Sequence, residues 1–176
     1  MARFIQLILS NIPTITFILA IVIALRPHAG RPLSLRLLNW MLLLAVGVSY
    51  VWSGVFHVFF PNVAASSIGW ANSPFQYEIG VADIAIGVVA IASFWRGFEF
   101  KAAVVIYIAL FSLGVAIGHV YQMVTAHDYA ANNFGVLLVI TIAQMVLLPV
   151  LLWLAAKGED ASSRHAPQSP QRFTPT

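Results

Sequence analysis

Two histidines, His57 and His119, and two carboxylates, Glu78 and Asp83, stand inside otherwise apolar stretches of this sequence. An ionisable group held in hydrocarbon costs about 2.5–3.5 kcal/mol on insertion scales, so such residues usually serve a ligand, a proton or another helix. Tyr50, Ser53, Gly54 and His57 recur at i, i+3, i+4 and i+7, the spacing of one helical face. Gln76, Tyr77 and Glu78 open a second stretch, with Asp83 further along it. His119 and Gln122 close a third, and Gln144 lies inside a fourth.

Several chemistries are open to these groups. His57, Glu78 and His119 form a donor set for a divalent metal, and the two imidazoles could ligate a haem axially. The wider set of Tyr50, Ser53, His57, Gln76, Glu78, Asp83, His119, Gln122 and Gln144 offers donors and acceptors beside apolar surface, as a quinone or lipid-like ligand requires. Asp83, with Gln144 at a similar depth, would suit a proton-coupled carrier. A purely structural role, holding helices together, is the fourth reading. No cofactor is required by the sequence. Cysteine is absent, which removes thiolate metal sites, iron–sulfur clusters and cysteine nucleophiles. With no phosphate-binding glycine loop and no nucleophile elbow, independent catalytic activity is not expected.

The elements that carry these residues follow from composition. Of the 176 residues, 60% are hydrophobic and 9% charged, against about 45–50% and 25% in ordinary soluble domains. The mean hydropathy is +0.88. So few charges cannot cover a water-facing surface, which excludes a cytosolic enzyme, a nucleic-acid-binding domain and a disordered chain. Lipid is the first expected partner, with a membrane-protein partner or a second copy of the chain next.

Hydropathy predicts an all-α polytopic bundle with a four-helix-bundle-like core and five spans. They cover about Phe4–Leu25, Leu37–Phe60, Phe75–Trp95, Ala102–Met123 and Phe134–Ala156. Each is long enough to cross roughly 30 Å of hydrocarbon, and helices are forced because lipid offers the backbone no partners. Pro13 and Pro149 fall inside the first and fifth spans, where proline predicts kinks. The first span is longer than a signal-peptide core and reads as a retained anchor. Residues 1–157 make the bundle; 158–176, rich in Ser, Pro and Gln, read as a flexible cytoplasmic tail.

Charge sets the expected orientation. Arg26, Arg31, Arg36, Arg96, Lys101, Lys157, Arg164 and Arg172 fall on one side of a five-span topology and Arg3 alone on the other. The positive-inside rule then puts the N-terminus outside and the C-terminus in the cytoplasm of a cell inner membrane. On that topology His57, Glu78 and His119 each lie roughly 4–6 Å inside the outer boundary, from three different helices. Asp83 lies deeper, and Gln144 near mid-membrane is its expected hydrogen-bond partner. Tyr77, Trp52, Trp70 and Trp95 read as interfacial anchors. Gly80, Gly87 and Ala90, and the pair Gly114 and Gly118, predict close helix contact. The uncharged segment PNVAASSIGWANSP is either a plain outer loop or a fold-back covering the polar layer. His127 and Asp128 read as solvated loop residues.

The stretch from Gly54 to Ile91 also resembles the DoxX-like group of small bacterial membrane proteins. The resemblance rests on His57 closing a helix, then Phe59, Phe60 and Pro61, and on Glu78, Gly80 and Gly87 in the next helix. The segment GWANSPFQYEIG is similar to the signature of an uncharacterised family in or near that group. It implies a four-helix membrane bundle, here with a fifth span, and an association with redox chemistry at the membrane.

Overall fold

The computed structural model describes residues 11–27 and 30–164, with side chains through 158. The chain is a multi-pass helical membrane bundle, and no strand occurs among the described residues. Helix α1 spans Ile12–Leu25, with Pro13 in its first turn, where a missing N–H costs no hydrogen bond. Pro13 therefore starts the described helix and does not kink it. The outer part of the first expected span, residues 4–10, lies outside the described residues.

The second rod, Leu33–Phe59, changes winding twice. It comprises α2 (Leu33–Trp40), a π-helical stretch (Met41–Val48) and α3 (Ser49–Phe59). A short helix, α4 (Pro61–Ser67), then turns back over the end of the bundle before α5 (Phe75–Ser93) descends. Helix α6 covers Phe98–Ala126, and α7 covers Val136–Arg164, passing through Pro149. Helix α7 continues past the expected start of the tail at 158; residues 165–176 lie outside the described residues. The second rod, α5, α6 and residues 136–158 of α7 are each long and apolar enough to span a bilayer.

Backbone contact between α3 and α5 explains much of the packing. Gly54 faces Gly80, and Gly47 faces Gly87, an antiparallel pairing at seven-residue intervals on both sides of the contact. A methyl group built on Gly87 would lie 2.7 Å from the Gly47 carbonyl oxygen and from the Val51 nitrogen. Without Cβ atoms the two helices approach to backbone distance, and dispersion contacts replace the hydrophobic effect that lipid does not provide. The second helical pair is α6 with α7. Leu38, Leu42, Val46, Val105, Ile108 and Leu148 bind the rods together in the half of the bundle that carries the basic residues. The opposite half contains a cavity.

Cations close helix ends at the basic side. Arg36 donates to the Ala24 and Arg26 carbonyl oxygens at the end of α1. Lys101, only 4% exposed, donates from Nζ to the Ser93 carbonyl oxygen at 2.6 Å and to that of Arg96. These bonds satisfy orphan carbonyls where the helix dipole is negative. Lys101→Met should therefore lower unfolding stability by about 2 kcal/mol, the scale of a charge-assisted hydrogen bond. An unchanged unfolding midpoint in detergent would show that these contacts carry no stability.

Candidate functional site

A cavity of about 620 Å³ separates the α3–α5 pair from the α6–α7 pair. Its walls are mostly apolar, with Ile79, Leu110, Phe111, Val115, Leu137, Leu138 and Ile140 among them. Tyr50, Ser53 and His57 line it from α3, Gln76 and Asp83 from α5, His119 from α6 and Gln144 from α7. Seven of the nine residues singled out from the sequence thus reach one space.

Glu78 does not. It is exposed on the opposite side of the α5 start, because Gln76 takes the inward position at this turn and Glu78, two residues on, is rotated about 200° away. The expected trio of His57, Glu78 and His119 therefore does not converge, and α6 continues past His119 to Ala126. Among the described residues no group of three His, Asp or Glu side chains is placed to hold a metal ion. Gln122 is half-buried and its side chain does not line the cavity; its carbonyl oxygen accepts from the Asp128 backbone at 3.4 Å, closing the end of α6.

Both histidines are held through the same ring nitrogen. His57 Nδ1 donates to Gln76 Oε1 at 2.5 Å, and His119 Nδ1 donates to Asn133 Oδ1 at 2.6 Å. Asn133 is fully buried, and its amide is fixed because Nδ2 donates to the Asp128 carbonyl at 2.8 Å and to that of His119 at 3.5 Å. The oxygen of Asn133 must then face the imidazole, which puts the proton of His119 on Nδ1. Nε2 remains as the nitrogen available to a ligand on each ring. Orientation of one imidazole nitrogen by a fixed amide or carbonyl sets the chemistry of the other.

Trp70 caps the site. Its indole stacks on His119 with ring centroids 5.6 Å apart and planes 27° from parallel. It is delivered by the fold-back segment, so PNVAASSIGWANSP covers the polar layer through Ile68 and Trp70, which follow α4. Trp70 is a cavity wall, not simply an interfacial anchor. Gly69 makes the turn at φ 79°, a left-handed conformation, with the Asp128 carboxylate packed against it where a side chain would stand. Asp128 also accepts from the Ala130 backbone at 3.0 Å, so it is a structural link between two loops and not a solvated residue. Asn72 donates to Asn62 at 2.7 Å across the base of the same segment.

Deeper polar groups are partnered inside the bundle. Ser53 and Asp83 both line the cavity, and the Tyr50 hydroxyl lies 3.4 Å from that of Ser112. Gln144 does not bond Asp83 as the sequence suggested. Its Nε2 donates at 3.0 Å to the carbonyl oxygen of Ala45, inside the π-helical stretch. The widened winding leaves that carbonyl accessible to a side chain on α7. Gly114 and Gly118, expected to bring helices together, instead line the cavity, and a methyl added to either would meet nothing within 4 Å. Their missing side chains leave the space open.

Asn133, Trp70 and Thr141 were not identified as site residues by sequence reasoning. The polar doublet Asn132–Asn133, at the level of His119 and immediately before an apolar span, was the one signal for the first of them.

No curated protein and no solved structure matches this chain significantly. A family model described as Family of unknown function (DUF6790) matches residues 10–161.

Proposed function

The chain belongs to the DUF6790 family, and from its cavity we propose that it binds an amphipathic small molecule of the quinone or lipid type. One observation carries the reading: an apolar space of about 620 Å³ holds two imidazoles, each anchored at Nδ1 by an amide oxygen. Ligand sites typically combine such apolar walls with a few oriented polar groups in volumes of about 300–1,000 Å³. Headgroup recognition falls to His57 and His119 beneath Trp70, and the apolar walls below them take the tail. Asp83 and Ser53 supply a second polar level further down.

The basic ends of the helices support an orientation with the C-terminus cytoplasmic and the histidine level toward the outer face of a cell inner membrane. The resemblance of residues 54–91 to the DoxX-like group supports a role as an accessory component of membrane redox chemistry, without catalysis of its own.

Mild-detergent purification followed by mass spectrometry of the organic extract tests the binding role. Wild-type protein should carry a lipid-soluble molecule near one equivalent, and His57→Ala combined with His119→Ala should reduce it by about tenfold or more, the effect of losing one to two hydrogen bonds to the headgroup. A folded double variant that retains the molecule would remove both histidines from recognition.

A further inference from the structure

The hydrogen-bonding polarity of the cavity narrows the ligand further. His119 carries its proton on Nδ1, because the Asn133 oxygen accepts there while the Asn133 nitrogen is committed to the Asp128 carbonyl. His57 is held in the same sense by Gln76. In the neutral imidazole the second nitrogen is then an acceptor with no proton to offer. Asp83 lines the same cavity from further along α5. Gln144 already donates to the Ala45 carbonyl. The two imidazole nitrogens left for a ligand are thus acceptors, standing beside the amide donors that Gln76 and Asn132 carry on the cavity wall.

We propose that the cavity selects a headgroup that donates hydrogen bonds through hydroxyls, a quinol and not the corresponding quinone. This rests on the quinone-type reading above. A quinone presents carbonyl oxygens, which would face the lone pairs of His57 and His119 and find no donor at those two nitrogens. A hydroxyl can donate to the imidazoles and still accept from the neighbouring amides. The quinol of the same skeleton presents two O–H groups to the same nitrogens. No electron transfer is involved in the proposal; it concerns which member of the redox pair is held.

Three probes with one carbon skeleton test it: a decylbenzoquinol, the decylbenzoquinone, and the quinol with both hydroxyls methylated. Each is titrated anaerobically into the full chain in nanodiscs, in mildly alkaline buffer where imidazole is generally neutral. The quinol should bind at least about tenfold more tightly than the other two, as expected when a buried polar site is left unpaired by the wrong ligand. His119→Gln, which replaces the acceptor by an amide that can also donate, should shrink that ratio toward unity. Equal binding of quinol and quinone by the wild type, or tighter binding of the quinone, overturns the selectivity and leaves the binding role standing. Failure of all three probes to bind overturns both.

Discussion

Gly54→Val should leave the protein unable to assemble its α3–α5 pair. A methyl at this position already meets the Gly80 carbonyl oxygen at 2.5 Å and the Ile84 nitrogen at 2.8 Å. Both are backbone atoms of an opposing helix, so no side-chain rotation relieves the clash. Overpacking a tight site costs typically about 1–3 kcal/mol and more when the backbone must separate, and valine adds two further methyls. Gly87→Val meets the equivalent obstacle at the Gly47 carbonyl and the Val51 nitrogen, 2.7 Å from each. Loss of the monodisperse peak in size-exclusion chromatography, or a fall in unfolding stability by about 3 kcal/mol or more, is the expected result. Gly114→Ala and Gly118→Ala provide the contrast, since neither methyl meets anything within 4 Å. Their stability should stay within about 0.5 kcal/mol of wild type, or rise slightly through helix propensity. Normal folding of both valine variants would show that the glycine contact is not what holds these helices.

Asn133→Leu has the next largest effect and reaches the site as well as the fold. The side chain is fully buried and joins His119 to the loop before α7 through its bonds to the His119 ring and the Asp128 carbonyl. Leucine keeps the branched shape but is larger, and it leaves the His119 Nδ1 proton and the Asp128 carbonyl without partners. Each unsatisfied buried group costs about 1–3 kcal/mol, so a total loss of roughly 3 kcal/mol is expected in thermal or denaturant unfolding. The functional consequence has its own readout. In wild-type protein labelled with ¹⁵N at histidine, neutral His119 should show a protonated Nδ1 and an unprotonated Nε2. In Asn133→Leu the tautomer should no longer be fixed, and ligand affinity should fall about tenfold. A wild-type His119 protonated at Nε2 would contradict the arrangement directly.

These two cases mark the limits of what a one-dimensional reading reaches. Gly80 and Gly87 were legible as close-packing residues, yet their partners Gly47 and Gly54 were not, because pairing depends on which helix lies opposite. The same small-residue logic applied to Gly114 and Gly118 gave the wrong consequence. Glycine permits either a neighbouring backbone or an empty space, and only the position of the neighbour distinguishes them. His57 and His119 were found from polarity within apolar runs, and their common level followed from helix rise. Glu78 shared that level but not the rotation. Asn133 escaped notice because a loop amide gains significance only when the chain folds it against an imidazole.

The sequence by itself determined the helical class, four of the membrane crossings and the concentration of cations at one end. These properties follow from transfer energies and rise per residue, which sum along the chain irrespective of what packs beside it. Tertiary structure alone decided that Gln144 caps Ala45 instead of reaching Asp83, that Trp70 covers His119, and that Glu78 faces away. Those outcomes depend on helix rotation, on the π-helical stretch that resets the phase of the second rod, and on a loop folding back over the bundle. Each is settled by contacts between segments distant in the chain, where hydropathy carries no information.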